Sequence, residues 1–421
     1  MSLIYDPPQD CKLVGAMRAI HGVRDSITII HARPGCHCGM ILLKALGSNQ
    51  NDVRVISSGF RAHDTVYGAE KRLSAAIQLS HEYFEPGLIA ALNCSAPAIM
   101  GDDIEGVASS MEEKIPAALM TMETGGYEGP AWIGYEEALA KLTDYMIPVE
   151  RPSADRINLI GIKTDDINAG GDLTEIRRIL KDHGIEVNTV LADASFDEIK
   201  NSPDASLNVV LGGDGLECAK VMRERFDIPY IITPYPFGVK KTTEFVELVA
   251  NRLGRKVDSE LIEREVKLVK DGIERVCMFL QGIYDMPVAV IGESGRAFDL
   301  AEFLSDELGL NVCFLAISSK NHLTSNRIED GNGHFGDVFI EPDRFEMNDL
   351  IKGAGVSMIF GSTFEKHLSS EIGAPLIRVS YPVIDEVSIT DAPYAGFRGT
   401  LHLCETIINA VITQNIEEIE E

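Results

Sequence analysis

Eight cysteines are spread through the 421 residues, and three of them stand where thiols can do chemistry. Cys11 precedes an expected helix, KLVGAMRAIHGV. Cys36 ends an expected strand, ITIIHARPGC, where Gly35 permits a tight turn into a helix, MILLKALG. Cys94 closes the apolar run GLIAALNC ahead of the loop SAPAIMGDD. Each thiol sits where a strand or loop meets a helix N-terminus, so backbone N–H groups and the positive end of a helix dipole face it. That setting favours thiolate over thiol and suits a group that is itself anionic, an iron–sulfur cluster above all. Three thiolates are one short of a closed four-cysteine cluster, so the missing ligand is another residue type or comes across a subunit seam. Spacing alone leaves two other readings open. The three can be separate buried apolar residues, or a zinc site, although zinc usually announces itself with CxxC pairs and Cys36-His37-Cys38 is a lone CxC.

The remaining candidates read more plainly. Cys38 is close to Cys36 in sequence, but adjacent side chains at a helix start diverge, and its role stays open. Cys218 in GLECAKVM, Cys277 in IERVCMFL, Cys313 in NVCFLA and Cys404 in LHLCETI have apolar neighbours and read as packing. Asp102, Asp103 and Glu105 follow Gly101 at a helix start and fit capping better than metal binding. His21, His31 and His63 lie near the cysteine segments; structural or solvated roles are weighed ahead of tuning a cluster through hydrogen bonds to sulfur. The loops LGGDG (211–215) and GESG (292–295) follow strands and precede helices, yet neither completes GxGxxG or GxxxxGK[ST], and both read as ordinary turns rather than phosphate cradles.

The elements that carry these residues form a repeating series. INLIGI at 157–162 is a short apolar run, followed by a loop, the helical LTEIRRILKDHG and a terminal Gly184. LNVVLGG with DGLECAKVMRERF repeats the unit, and PYIIT adds a strand. A second block starts at PVAVIG (287–292), continues through GESGRAFDLAEFLSDELG and NVCFLAI, and gains VSMIFG and PLIRVS. Strands alternating with helices at this spacing predict an α/β fold of parallel sheets covered on both faces. A chain this long exceeds one core, so domains of about 100–150 residues are expected. The boundaries are placed near 150 and 284, giving units at 1–150, 151–283 and 284–397. Residues 240–283 read as a mostly helical connection, and a C-terminal helix at about 398–421 is expected to complete the first unit.

Composition narrows the partners. A net charge of −27, from 65 acidic against 38 basic residues, repels phosphate backbones and anionic membranes, so nucleic acid is excluded as a partner. No window reaches the roughly 18–20 apolar residues of a membrane span. MSLIYDPPQD lacks a basic region before an apolar run, and a cytoplasmic location is expected.

The contexts CKLVGA, HARPGC and NCSAPAIMGDDIEGVA around Cys11, Cys36 and Cys94 resemble the N-terminal pattern of the nitrogenase component 1 family, its β-type subunits in particular. Collinear similarities follow in DTVYGAEKRLSAAI (64–77), ETGGYEGPAWIGYEEAL (123–139), RFDIPYIITPYPFGVKKTTEF (225–245) and IRVSYPVIDEVSITDAPYAGFRGTLHL (377–403). The resemblance implies three doubly wound, Rossmann-like α/β domains with parallel sheets. It implies that Cys11, Cys36 and Cys94 hold half of a P-cluster, [8Fe-7S], shared with an α-type partner, or a simpler [4Fe-4S] cluster. It further implies an α2β2 assembly and a separate ATP-dependent [4Fe-4S] iron protein as electron donor, in keeping with the absence of a P-loop here.

Departures from the family pattern carry information too. The stretch LNVVLGG lacks the cysteine, and VIDEVSITD lacks the histidine, with which α-type subunits hold their large cofactor, so the resemblance is to the partner that relays electrons. Gly126 stands where β-type subunits carry a serine that can ligate the oxidised P-cluster, and only ten residues precede Cys11. Both favour a nitrogenase-like oxidoreductase, such as a methylthio-alkane reductase or an alternative nitrogenase, over dinitrogen reductase proper. The alternatives within the family are a scaffold for cofactor maturation and a tetrapyrrole reductase or reductive cyclase with a [4Fe-4S] cluster.

Overall fold

Short apolar runs with no polar face become the inner strands of three parallel sheets, as expected when helices cover a sheet on both sides. The computed structural model describes residues 11–36, 38, 39, 41, 54–330, 335–390 and 392–420. The expected helix MILLKALG falls outside these apart from Ile41.

The first sheet has the order β2-β1-β3-β4, built from β1 (Ser26–His31), β2 (Val55–Ser57), β3 (Leu88–Asn93) and β4 (Ala118–Met122). The second repeats that order as β6-β5-β7-β8, with β5 (Arg156–Ile160), β6 (Glu186–Val190), β7 (Leu207–Leu211) and β8 (Tyr230–Thr233). The third is β11-β10-β9-β12-β13, with β9 (Pro287–Glu293), β10 (Asn311–Ser319), β11 (Asp337–Ile340), β12 (Met358–Gly361) and β13 (Leu376–Arg378). Every pairing is parallel, from Thr28 opposite Ala90 in the first sheet to Phe360 opposite Val290 in the third. Strand order reverses once per sheet, beside β1, β5 and β9, which is the doubly wound arrangement. At such reversals the strand ends open a crevice, the usual place for a ligand.

Two helix contacts bind the first sheet to the rest. The helix Lys12–His21 crosses the helix Ala131–Leu142 so closely that a Cβ on Gly15 would lie 1.6 Å from the Ala131 carbonyl oxygen, and one on Gly134 would lie 1.9 Å from that of Lys12. Leu13, Met17 and Ile20 of the first helix share a core with Leu139 and Leu142 of the second and with Ile160, Val210 and Met222 of the middle unit. A second core runs without a break from Ile157 and Val209 to Val290 and Phe360.

The C-terminal helix corrects an expectation. Gly396–Glu420 packs on the helices Ala169–Asp182, Gly238–Arg252 and Ser259–Glu274 rather than completing the first unit. The buried Asp172 carboxylate fixes its start by accepting the N–H groups of Tyr394 and Ala395, both at 2.7 Å, and Gly396 lies against Glu175, which a Cβ would strike at 2.4 Å. No helix among the described residues is long and apolar enough to cross a membrane.

Candidate functional site

Four chain segments meet at the C-terminal edge of the first sheet. Cys11 is the N-cap of the helix Lys12–His21, in extended conformation (φ −102°, ψ 132°), and its carbonyl accepts the Val14 N–H at 2.9 Å. Cys94 follows β3 as N-cap of the helix Ser95–Met100 (φ −99°, ψ −179°). Its own N–H donates to the His31 carbonyl at the end of β1 at 3.1 Å. The Cys94 sulfur faces the Ala96 N–H in the first turn of its helix. Cys36 lies in the helical residues 34–36 that follow β1. The fourth segment is the loop 123–130 after β4, tied down where Thr124 N–H donates to Asn93 Oδ1 at 2.8 Å and Lys12 N–H to the Gly129 carbonyl at 3.0 Å.

These segments bring the three expected thiols together. The Cys36 thiol donates to the Cys94 sulfur, and the charge of Cys11 acts on Cys36. The Cys36 bond leads the forces holding Cys94 down at about 6; burial opposes it, and the Ala96 and Arg33 N–H groups add to the lowering. Cys36 is pushed up correspondingly, first by that shared proton and then by burial. Cys11 stands beside Gly126: a Cβ on that glycine would lie 3.3 Å from the Cys11 sulfur and 3.3 Å from the Ser95 hydroxyl. The bare glycine thus leaves a cradle between the Cys11 sulfur and the Ser95 hydroxyl. Among the described residues no three His, Cys, Asp or Glu side chains close on a single metal ion.

Exposure grades across the site. Cys94 is buried, Cys11 half-buried and Cys36 exposed. Segments next to the site carry large apolar side chains left in solvent: Val66 (75%) and Tyr67 (83%) on the helix Asp64–Tyr67, which packs on the helix Ser95–Met100, Ile99 (73%) on that helix, and Tyr127 (61%) after Gly126. A lone exposed apolar residue is ordinary, but several on adjoining segments are the mark of a surface that another chain covers.

His31 is the buried hinge behind the thiols. Its ring lies between Ser58 Oγ at 2.8 Å and Asp102 Oδ2 at 3.0 Å. Burial lowers its pKa, and the hydrogen bond and charge of Asp102 oppose this without overcoming it. Asp102 also accepts the Ala69 N–H at 3.3 Å, which links the loop after Cys94 to the VYGAEKRL segment. Capping belongs to Asp103 alone, whose side chain accepts the Gly106 N–H at 2.8 Å; Glu105 is exposed. His63 is exposed and pairs with Asp64 at 3.3 Å, and His21 lines a shallow surface pocket. Cys38 is exposed. Of the four cysteines read as packing, Cys218 and Cys404 are buried and Cys313 is half-buried. Cys277 is exposed, a correction that follows from its place at the first turn of a short surface helix, Cys277–Ile283.

The glycine loops 211–215 and 292–295 hold no phosphate cradle. A Cβ on Gly212 would lie 1.8 Å from the Gly295 carbonyl, and one on Gly295 would lie 2.5 Å from Asp214 Oδ2, so each loop fills the other. The crevice at the ends of β5, β7 and β9 is occupied by ion pairs that sequence reasoning missed. Arg18, on the helix that Cys11 caps, donates through Nε to Asp165 at 2.8 Å and through Nη2 to Asp166 at 3.1 Å. Its Nη1 meets Glu293, and its guanidinium lies 3.9 Å above the Tyr381 ring. Lys163 joins Asp214 at 2.6 Å to Glu293 at 2.7 Å. Arg296 pairs with Asp166 at 3.0 Å. The only hint in the sequence was the charged run KTDD after a buried strand, which more often marks a solvated loop.

Comparison with known proteins fits this geometry. The model of the nitrogenase component 1 type oxidoreductases matches residues 11–412. The chain belongs to that family. A nitrogenase iron-iron protein beta chain from Rhodobacter capsulatus is 24% identical, over 96% of this chain and 93% of its own length. A nitrogenase iron-molybdenum cofactor biosynthesis protein from Clostridium pasteurianum is 26% identical, over 86% and 80%. The fold matches that of a solved chain described as nitrogenase Cp1 at pH 6.5, with a TM-score of 0.85 at 20% identity, over 100% of this chain and 95% of that one. The chain is therefore a nitrogenase-family oxidoreductase subunit, and the three doubly wound parallel sheets expected from the resemblance are those of its family.

Proposed function

We propose that the chain is the β-type subunit of a nitrogenase-like reductase and holds an iron–sulfur cluster with Cys11, Cys36 and Cys94 at its seam with an α-type partner. One observation carries the reading. Three thiols from three separate segments converge, with Cys36 bonded to Cys94, Cys11 beside the bare Gly126, and the outermost, Cys36, open to solvent. Thiolates at helix N-caps suit an anionic cluster, and the cradle at Gly126 leaves room for it. The group is an [8Fe-7S] P-cluster shared with the partner or a [4Fe-4S] cluster, and it supplies one-electron steps.

This chain's residues would anchor the cluster, shield its inner side and present its outer side to the α-type subunit. Electrons from an ATP-dependent iron protein would pass through it to a cofactor held by that partner, in an α2β2 assembly. The crevice where an α/β unit would hold a large cofactor is filled here by Arg18, Lys163 and their carboxylates, which supports assigning the substrate, in a methylthio-alkane reductase or an alternative nitrogenase, to the partner.

The experiment is anaerobic co-purification with the partner, followed by iron analysis and electron paramagnetic resonance. About eight irons per αβ interface, counted apart from the partner's own cofactor, identify the larger cluster and about four the smaller. Iron absent from the intact complex sinks the reading. A second reading, a scaffold on which a cofactor matures, is favoured by Gly126 standing in place of a serine. It predicts bound cofactor that leaves on transfer, without reductive turnover.

A further inference from the structure

The bare α-carbon of Gly126 has two heteroatoms close to the point where its Cβ would be, and only one of them is a thiol. Cys11 Sγ lies 3.3 Å from that point, and Ser95 Oγ lies 3.3 Å from it as well. The hydroxyl therefore shares the cradle with the sulfur, on the side from which Gly126 withholds a side chain. Its orientation is set: Gly126 N–H donates to Ser95 Oγ at 2.9 Å. A serine hydroxyl has two lone pairs and one proton, so that single acceptance leaves a lone pair for another partner. Helix capping does not explain the hydroxyl, because Ser95 is the first residue inside its helix and the N-cap is Cys94. Nor is it a solvated surface group, since Ser95 is half-buried.

We propose that the Ser95 hydroxyl oxygen is an additional ligand of this chain to the iron–sulfur cluster, acting beside Cys11 across the Gly126 cradle. The inference rests on the cluster-binding reading above and goes beyond it, since that reading needs the thiols alone. The bond is dative: the free lone pair on oxygen is shared with iron, no bond breaks, and no electron or proton is transferred. An oxygen donor is harder than a thiolate and favours the more oxidised iron, so its contribution grows as the cluster is oxidised. The loop after β4 supplies only backbone at this point, and the hydroxyl comes from the neighbouring helix.

The test uses the complex of this chain with its partner, purified anaerobically from cells fed serine carrying 17O in its hydroxyl. The cluster is then poised stepwise through its oxidation states with redox dyes. The expected result is a 17O hyperfine coupling on the oxidised cluster signal that is present in the native complex and absent from Ser95→Ala. Ser95→Thr, grown with threonine labelled in the same way, is expected to restore it. Wild-type complex that holds iron but shows no 17O coupling overturns the proposal while leaving the thiol assignment standing. So does a coupling that persists unchanged in Ser95→Ala. If Ser95→Ala loses iron altogether, retention of iron and coupling in Ser95→Thr supports the ligand, and equal loss in Ser95→Thr assigns Ser95 to packing and overturns it. Wild-type complex without iron overturns both this inference and the reading beneath it.

Discussion

Gly15 and Ala131 meet backbone against backbone, with space for hydrogen alone: a Cβ on Gly15 would fall 1.6 Å from the Ala131 carbonyl oxygen and 2.8 Å from the Tyr135 nitrogen. The contact fixes where the helix Lys12–His21 begins, and therefore where the Cys11 thiol stands.

Gly15→Val is expected to destabilise the protein by about 3 kcal/mol or more, because neither helix backbone can give way. Denaturant unfolding reads the loss. Because Cys11 sits one turn away, the variant should also bind less iron at temperatures where it remains folded. Wild-type stability would show that the helices can separate without cost.

Cys11→Ala, Cys36→Ala and Cys94→Ala are each expected to lower the iron content of the complex and weaken its association with the partner. Cys277→Ala, exposed on a surface helix, should leave iron unchanged. Metal analysis after anaerobic gel filtration decides. Equal iron in all four variants would remove the thiols from the site.

Arg18→Met removes the one cation shared by Asp165, Asp166 and Glu293, so that Glu293 is left with Lys163 and Asp166 with Arg296 as their remaining cations among the described residues. Breaking a buried pair from one side costs about 3–5 kcal/mol. The companion change Glu293→Gln in the same chain should recover part of that. Unfolding midpoints of the single and double variants measure the coupling, and strict additivity would mean that the guanidinium and the carboxylate act independently.

Burial by itself would raise Glu293, but the Arg18 and Lys163 charges, with their hydrogen bonds, overcome it and hold the carboxyl at about 2. A depressed carboxyl contributes stability that is complete above its unfolded value, about 4.5, and is lost as pH falls toward 2. Glu293→Gln should therefore be less stable than wild type at pH 6 by a few kcal/mol, and the gap should shrink between about pH 4.5 and pH 2. Stability curves at several pH values test this; a gap that widens in acid would reverse the assignment.

Ile99→Asp and Tyr67→Ala change side chains that are 73% and 83% exposed, on the helix that Cys94 caps and on the helix packed against it. Neither should alter the unfolding midpoint of the isolated chain by more than about 0.5 kcal/mol. Ile99→Asp should reduce recovery of the partner in co-purification, since it sets an unpaired charge in a covered surface. Undiminished recovery would move the interface elsewhere.

Inner strands were legible because burial on both faces leaves an unbroken apolar signature, as in ITIIH, INLI and LNVVL. Of the edge strands, PYIIT and PLIRVS were legible and others were not. VIS in β2 is too short to carry a pattern, while EVNTV in β6 and DVFI in β11 mix polar with apolar residues because one side remains wet. Helix starts and family-like contexts singled out the three thiols that the fold gathers. Ser95 was not, since its meaning lies in its distance from Gly126, a neighbour 31 residues away that only the fold supplies. The C-terminal helix was misplaced for a similar reason: an amphipathic pattern tells which face is covered, not by which unit, and here Asp172 makes that choice.

Arg18 also bears on how the molecule can move. One guanidinium, rooted in the first unit, is clasped by carboxylates of the second and third, so no pair of units can swing open without stranding charge in a dry interior. A change of angle between these segments therefore carries the cost of parting buried ion pairs, whereas the outer loops can rearrange without it.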